Sequence, residues 1–226
     1  MSPSTSLTTG LDLFGHPFSS FTQKVLIALY VDDTEFDYRM VDPDHPDNVE
    51  ELKRHSPFGM FPLLLDDCEP VIESTPIIEH LHARHRGPND WIPEGDLGRR
   101  VRLLDRFFDL HVMDNMQKAV TDRLRPDGAH DDFGVTRARE RLHIAYDWLE
   151  AKLGEGPWAA GEQFTLADCA AAPSLFYADW AEPIGAERPK LAAYRARLLA
   201  HPAVARCVDE ARPYRSFFPL GAPDRD

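Results

Sequence analysis

Two adjacent hydroxyls, Ser19 and Ser20, stand between an apolar segment at residues 11–14 (LDLF) and a run with helical spacing over residues 21–31. A helix that starts there exposes unpaired N–H groups and the positive end of its dipole. The serines are placed either to cap that helix or to act on an anion held at its end. Glu73 precedes, and Ser74 opens, the run STPIIEHLHARH at a second strand-to-helix junction. Ser74 can donate to a carboxylate while Glu73 pairs with an ammonium, or the pair is only a cap. Eleven residues before Glu73, Pro62 opens the apolar run FPLLLDD, where a missing N–H does least harm to a strand. Thr165 and Asp168 have capping-box spacing, with Phe164 placed to staple on Cys169. That is a folding signal with no chemistry attached. His80, His82 and His85 fall at i, i+2 and i+5, which share no helix face, so no metal is expected. Cys68, Cys169 and Cys207 have neither metal nor disulfide spacing and are expected to be reduced thiols.

The elements that must position these residues alternate through the first third of the chain. After the opening strand and helix, EFDYRMVD alternates like a half-buried strand and HPDNVEELKRH reads as a short helix. FPLLLDD and EPVIES are spaced as a hairpin, and Ser74 starts a third helix with Pro76 in its first turn. The order predicts a small mixed sheet with helices on its faces. Gly and Pro punctuate RGPNDWIPEGD, and beyond it the chain reads as helix: residues 98–124, 135–153, 165–181 and 191–211. The expected organisation is a first domain at 10–86, a linker at 87–95 and an all-helical domain at 96–218.

The 226 residues carry a formal charge of −13, which argues against nucleic acid as a partner. Residues 1–90 hold 6 basic against 16 acidic side chains, so an anion bound there must be held by local donors against the field. No apolar run is long enough to span a membrane, and MSPSTSLTTG has the character of a disordered tail rather than a secretory signal. A cytoplasmic protein is expected.

Three motifs together resemble the cytosolic glutathione transferase superfamily: HSPFGMFPLLL, VIESTPIIEHL and FTLADCAAAPSLF. Their order and spacing extend the resemblance from Leu11 to about Phe218. It implies an α/β thioredoxin-like domain with a mixed four-stranded sheet, followed by an all-α helical bundle. It also implies a cis Pro62 that presents the backbone of Phe61 to glutathione, with Glu73 and Ser74 on the γ-glutamyl group. The resemblance is to serine-type classes (zeta, tau, theta), whose serine lies five residues before a basic residue preceding Val. Lys24 and Val25 set that frame and select Ser19, with Ser20 as the backup. Leu13 and Phe14 stand where tyrosine-type classes carry their Tyr, and no Cys lies at the redox position.

Met60 replaces a Lys or Gln that helps hold the glycyl carboxylate in many relatives; His45, Asn48, Lys53 and His55 are candidate substitutes. The electrophile site is expected around Phe107, Phe108, His111 and Met116, with the segment PYRSFFPL. Asp105 is either a polar helix residue or an acid lent across a dimer. The implied function is detoxification-type addition of glutathione, as co-substrate, to a small apolar electrophile, or glutathione-dependent isomerisation. The implied assembly is a homodimer. A non-enzymatic ligand- or protein-binding module is the alternative.

Overall fold

The computed structural model describes residues 10–226. Apart from Gly10, the tail expected at residues 1–10 lies outside them. The first third runs β1 (Leu11–Gly15), α1 (Ser20–Val31), β2 (Asp37–Met40), α2 (Pro46–His55), β3 (Leu63–Asp66), β4 (Glu69–Ile72) and α3 (Ser74–Arg84). The sheet order is β2-β1-β3-β4, with β1 parallel to β2 and antiparallel to β3, and β3 antiparallel to β4.

Side chains alternate across this sheet. Leu11, Leu13 and Leu64 join α1 and α3 in the larger core, while Phe14, Leu63 and Leu65 pack against Leu52 of α2. A strand covered on both faces must be apolar at every position, which is why LLL in β3 is unbroken.

The remainder is helical: α4 (Gly95–Phe107), a π-helical turn (Phe108–Met113), α5 (Asp114–Arg123), α6 (Asp132–Lys152), α7 (Leu166–Ala181), α8 (Pro189–Ala200) and α9 (Pro202–Ala211), then a 3-10 turn (Arg212–Phe217). The fold is thus a mixed sheet with its helices followed by a helical region, as the sequence predicts. Two helices expected as continuous are divided. The π turn interrupts the one predicted across residues 98–124. Pro202 separates α8 from α9, because the residue before a proline is driven to extended backbone and His201 has φ −71°, ψ 128°.

The segment between α3 and α4 is fastened to both regions. Trp91 is buried and donates its indole N–H to Asp32 at the end of α1, at 2.6 Å. Its carbonyl accepts from Leu166 N at the start of α7, at 3.1 Å. One continuous apolar cluster therefore includes Leu13 and Leu26 as well as Val101, Leu149 and Leu175.

Thr165 and Asp168 form the predicted capping box. Phe164 stacks on His201 at 4.4 Å between ring centroids and meets Trp158 edge-on. Asp168 does more than cap. Fully buried, it accepts from Ala159 N, Thr165 N, the Thr165 hydroxyl and the Tyr194 hydroxyl. Burial pushes its pKa above the ordinary value and outweighs the four donors. Asp168→Ala should cost about 3 kcal/mol or more, because several buried donors lose their acceptor. A urea unfolding midpoint unchanged from the parent would contradict that.

Candidate active site

Strand register brings the predicted residues to one end of the sheet. Phe14 at the end of β1 lies opposite Leu63 at the start of β3, and Leu63 lies opposite Ile72 at the end of β4. Continued by one residue, the register gathers Gly15, Pro62 and Glu73. The N-termini of α1 and α3 follow immediately from β1 and β4, so two positive helix ends face the same region. Gly15 is required there by close approach: a Cβ on it would stand 2.5 Å from Thr22 Cγ2 in the first turn of α1.

Ser19 is the N-cap of α1, with extended backbone and its Oγ accepting from Thr22 N at 3.3 Å. A hydroxyl has two acceptor lone pairs and one O–H donor, so capping occupies a lone pair and leaves the proton available. The cap and the chemical role therefore do not compete. Ser20 is the first residue of the helix, and both serines are half-buried.

The loop carrying Ser19 is held from the helical region. Gln23 donates to the Pro17 carbonyl at 2.8 Å and to the Tyr177 hydroxyl at 3.0 Å. Tyr177, on α7, donates in turn to the Phe18 carbonyl at 3.0 Å. His16 Nδ1 accepts from Phe18 N at 3.1 Å, so its ring proton sits on Nε2; burial lowers its pKa, which keeps that tautomer neutral. Sequence reasoning missed Gln23, Tyr177 and His16. The available signal was two polar residues, Gln23 and Lys24, inside an otherwise apolar helix.

Lys24 is buried beneath this turn, with 1% of its side chain exposed. Its Nζ lies 2.6 Å from Asp105 and 2.8 Å from Asp109, and donates to the Thr75 hydroxyl at 2.9 Å. Thr75 bonds Asp105 as well. Asp105 is therefore an internal partner of Lys24, fully buried, rather than an acid presented to a second subunit. One ammonium faces two carboxylates. Burial, with Asp105 adding to it, raises the Asp109 pKa above the usual carboxylate value, and Lys24 opposes the rise.

Phe61–Pro62 is a cis peptide. Glu73 has φ 71°, a left-handed conformation that is costly for a residue with a Cβ and that collects at functional sites. Glu73 is exposed and Ser74 is 4% exposed. Neither side chain hydrogen-bonds another described residue. Met60 is exposed, whereas the candidates to replace it are engaged elsewhere: His45 with Asp42, Asn48 with the Met40 carbonyl, Lys53 with Glu50, His55 with Glu51.

A cleft of about 540 Å³ opens beside Ser19 and Ser20, walled by Phe61, Met116, Tyr177 and Phe217. That size suits a small-molecule site. Of the four residues expected to hold an apolar ligand, it takes in Met116 alone. Phe107 and His111 line a separate depression with Trp148, on which Phe107 stacks at 4.2 Å. Phe108 is fully buried. Adjacent residues on a helix cannot share a face, and here the stripe through Leu104 and Phe108 is the core-facing one. The apolar wall comes instead from Val120 and Leu124 of α5 and its end, with Phe217 and Phe218 from the predicted C-terminal segment. A larger cavity, about 710 Å³, lies against Tyr38 and takes in Pro213 and Tyr214 of the predicted C-terminal segment, but none of the other predicted site residues.

Residues 13–89 match the family model described as "Glutathione S-transferase, N-terminal domain", and residues 132–197 match "Glutathione S-transferase, C-terminal domain". The chain is 30% identical over 206 residues to glutathione S-transferase theta-2 of Homo sapiens, covering 84% of this chain and 81% of that one. It is 27% identical to glutathione S-transferase F6 of Arabidopsis thaliana, over 88% of this chain and 99% of the relative. A glutathione S-transferase from Methylobacterium radiotolerans, solved with glutathione sulfonate, superposes with a TM-score of 0.76 at 26% identity, covering 88% and 94% of the two chains.

Lys24→Met should lower stability by about 3–5 kcal/mol, because it leaves two buried carboxylates without their cation. Asp109 has the opposite pH signature to a salt-bridged surface acid. Its raised folded pKa gives stability that is fully present below the ordinary Asp value and lost as pH rises through the raised one. Asp109→Asn should flatten that decline in urea midpoints measured from pH 4 to 8; an unchanged slope would rule the assignment out.

Proposed function

The chain belongs to the glutathione S-transferase family, and from that premise we infer that it is a glutathione transferase whose Ser19 activates the thiol for attack on an apolar electrophile. The observation that carries the role of Ser19 is its double position: capping α1 through a lone pair, with its proton turned to neither the cap nor another described residue, at the rim of the cleft.

The chemical task is ionisation. A cysteine thiol near pKa 8.5 is only about 3% thiolate at pH 7. A hydrogen bond to the ionised sulfur is worth roughly 1.5–3 kcal/mol, which lowers that pKa by about one to two units. The thiolate fraction then becomes roughly a quarter to three quarters. The first-turn N–H groups of α1 act in the same direction. The sulfur forms its bond to the electrophilic carbon as that carbon's leaving group departs, or as an acceptor double bond takes up the electron pair and a proton.

Glutathione lies along the sheet end, its backbone against Phe61 and the cis Pro62, its γ-glutamyl carboxylate at the N-terminus of α3 near Ser74, and its ammonium at Glu73. The electrophile sits against Met116, Val120, Leu124 and Phe217, a wall of aliphatic and aromatic carbon without a charged side chain. The protein works as a cytoplasmic homodimer in detoxification-type conjugation.

Glu73→Ala and Ser74→Ala should each weaken glutathione binding by about tenfold or more, since each removes a charged or charge-assisted contact worth roughly 1.5–3 kcal/mol. Calorimetric titration checks this, with circular dichroism confirming that both variants stay folded. Parent-like affinity in both would displace glutathione from this end of the sheet. Assays against aryl halides, epoxides, peroxides and unsaturated keto acids then identify the electrophile class.

A further inference from the structure

At the opposite end of β3 from the cleft, two histidines converge on one carboxylate. His80 Nε2 and His85 Nε2 each lie 2.7 Å from Asp66 Oδ2, and the three ligand atoms are all within 4.8 Å of one another. The helical spacing of His80 and His85 does not place them on one face, but the helix ends before His85. His85 is the C-cap residue of α3, with φ −123° and ψ 45°, so the chain has left the helix and its ring turns back beside His80. Asp66, supplied by the end of β3, completes a group that no one-dimensional spacing reveals.

We propose that Asp66, His80 and His85 form a binding site for a divalent transition-metal ion, zinc above all, joining the C-terminal end of α3 to β3. Two imidazoles and a carboxylate are a donor set that zinc accepts, with water in a fourth position. Zinc bonds near 2.0–2.1 Å in a tetrahedron put ligand atoms about 3.3 Å apart, so the two 2.7 Å contacts need open by only ~0.6 Å. Side-chain exposures of 13% for Asp66, 13% for His80 and 32% for His85 hold the ligands in place yet leave an approach for the ion. The field favours a cation: α3 directs its carbonyl end here, and the first third of the chain is strongly acidic. Asp66 pairs with Leu11 and Glu69 in the sheet, roughly 10 Å along β3 from Leu63 and the Ser19 cleft. The ion therefore serves the fold of the first region and takes no part in sulfur chemistry.

The test is calorimetric titration of tag-free, chelator-treated protein with zinc chloride, without glutathione, whose own thiol binds the metal. One saturable site is expected, along with a rise in Tm on adding zinc. His80→Ala and His85→Ala should each weaken binding by at least the ~10–100-fold that even an outer partner of a metal ligand costs. Asp66→Asn should behave alike. His85→Ala alters a residue at the helix end and stands in if the buried variants melt early by circular dichroism. Cobalt(II) in place of zinc should give visible absorption of four- or five-coordinate nitrogen and oxygen ligation. No saturable heat with the parent protein overturns the proposal. So does binding that survives His80→Ala and His85→Ala, or binding abolished by Cys68→Ser, which would assign the metal to the exposed thiol nearby.

Discussion

A buried ammonium must be matched by charge and hydrogen bonds wherever it sits, and that requirement at Lys24 constrains the surrounding structure. Its partners come from α3 (Thr75), α4 (Asp105) and the π-helical turn (Asp109), while Lys24 itself belongs to α1. Sliding any of these elements by one residue would leave an unpaired charge in the core, at a cost of several kcal/mol. An apolar contact would tolerate such a slip far better, because it is not directional. The π turn fits the same demand: Asp105 and Asp109, one turn apart, both reach Lys24 from the point where α4 gives way to it. The network therefore registers the sheet and its helices against the helical region, and the registry extends to the turn before α1. Gln23, next to Lys24, and Tyr177 of α7 hold the Pro17 and Phe18 carbonyls, and Ser19 follows directly.

With that registry set, the site follows from topology. One sheet end collects the terminus of β1, the start of β3 and the terminus of β4, and each outer connection enters a helix by its N-terminus. The site proposed for an anionic, peptide-like ligand therefore offers backbone groups at Phe61 and Pro62 and two positive helix ends. In that proposed site short-range donors would act on an acidic tripeptide where the long-range field of a chain of net charge −13 opposes them. The cleft wall across from the serines is apolar and comes from the helical region, so the two proposed subsites offer different physical means of binding.

The sheet was legible because its strands alternate or run apolar within turn punctuation, and the placement of Ser19 because hydroxyls precede an apolar helix. Asp168 was legible as a cap, though not as the acceptor for Tyr194, which lies 26 residues on. Phe107, Phe108 and His111 do not line the cleft beside Ser19: sequence identifies an aromatic-rich helix but not which face turns to the core. Long-range polar contacts were the largest blind spot. Lys24 with Asp109, Gln23 with Tyr177 and Asp66 with His80 and His85 carry no periodicity, since each joins separate elements. The same holds for the His85 ring, whose direction depends on where α3 stops.

The central claim is that the Ser19 hydroxyl, while capping α1, donates a hydrogen bond to the ionised sulfur of glutathione. The most direct measurement is the ultraviolet thiolate absorbance of bound glutathione against pH, in the parent, Ser19→Ala and Ser20→Ala. The account predicts a thiol pKa below 8.5 in the parent, raised by about one to two units in Ser19→Ala and nearly unmoved in Ser20→Ala. A titration that Ser19→Ala leaves in place, whether or not Ser20→Ala shifts it, would contradict the account.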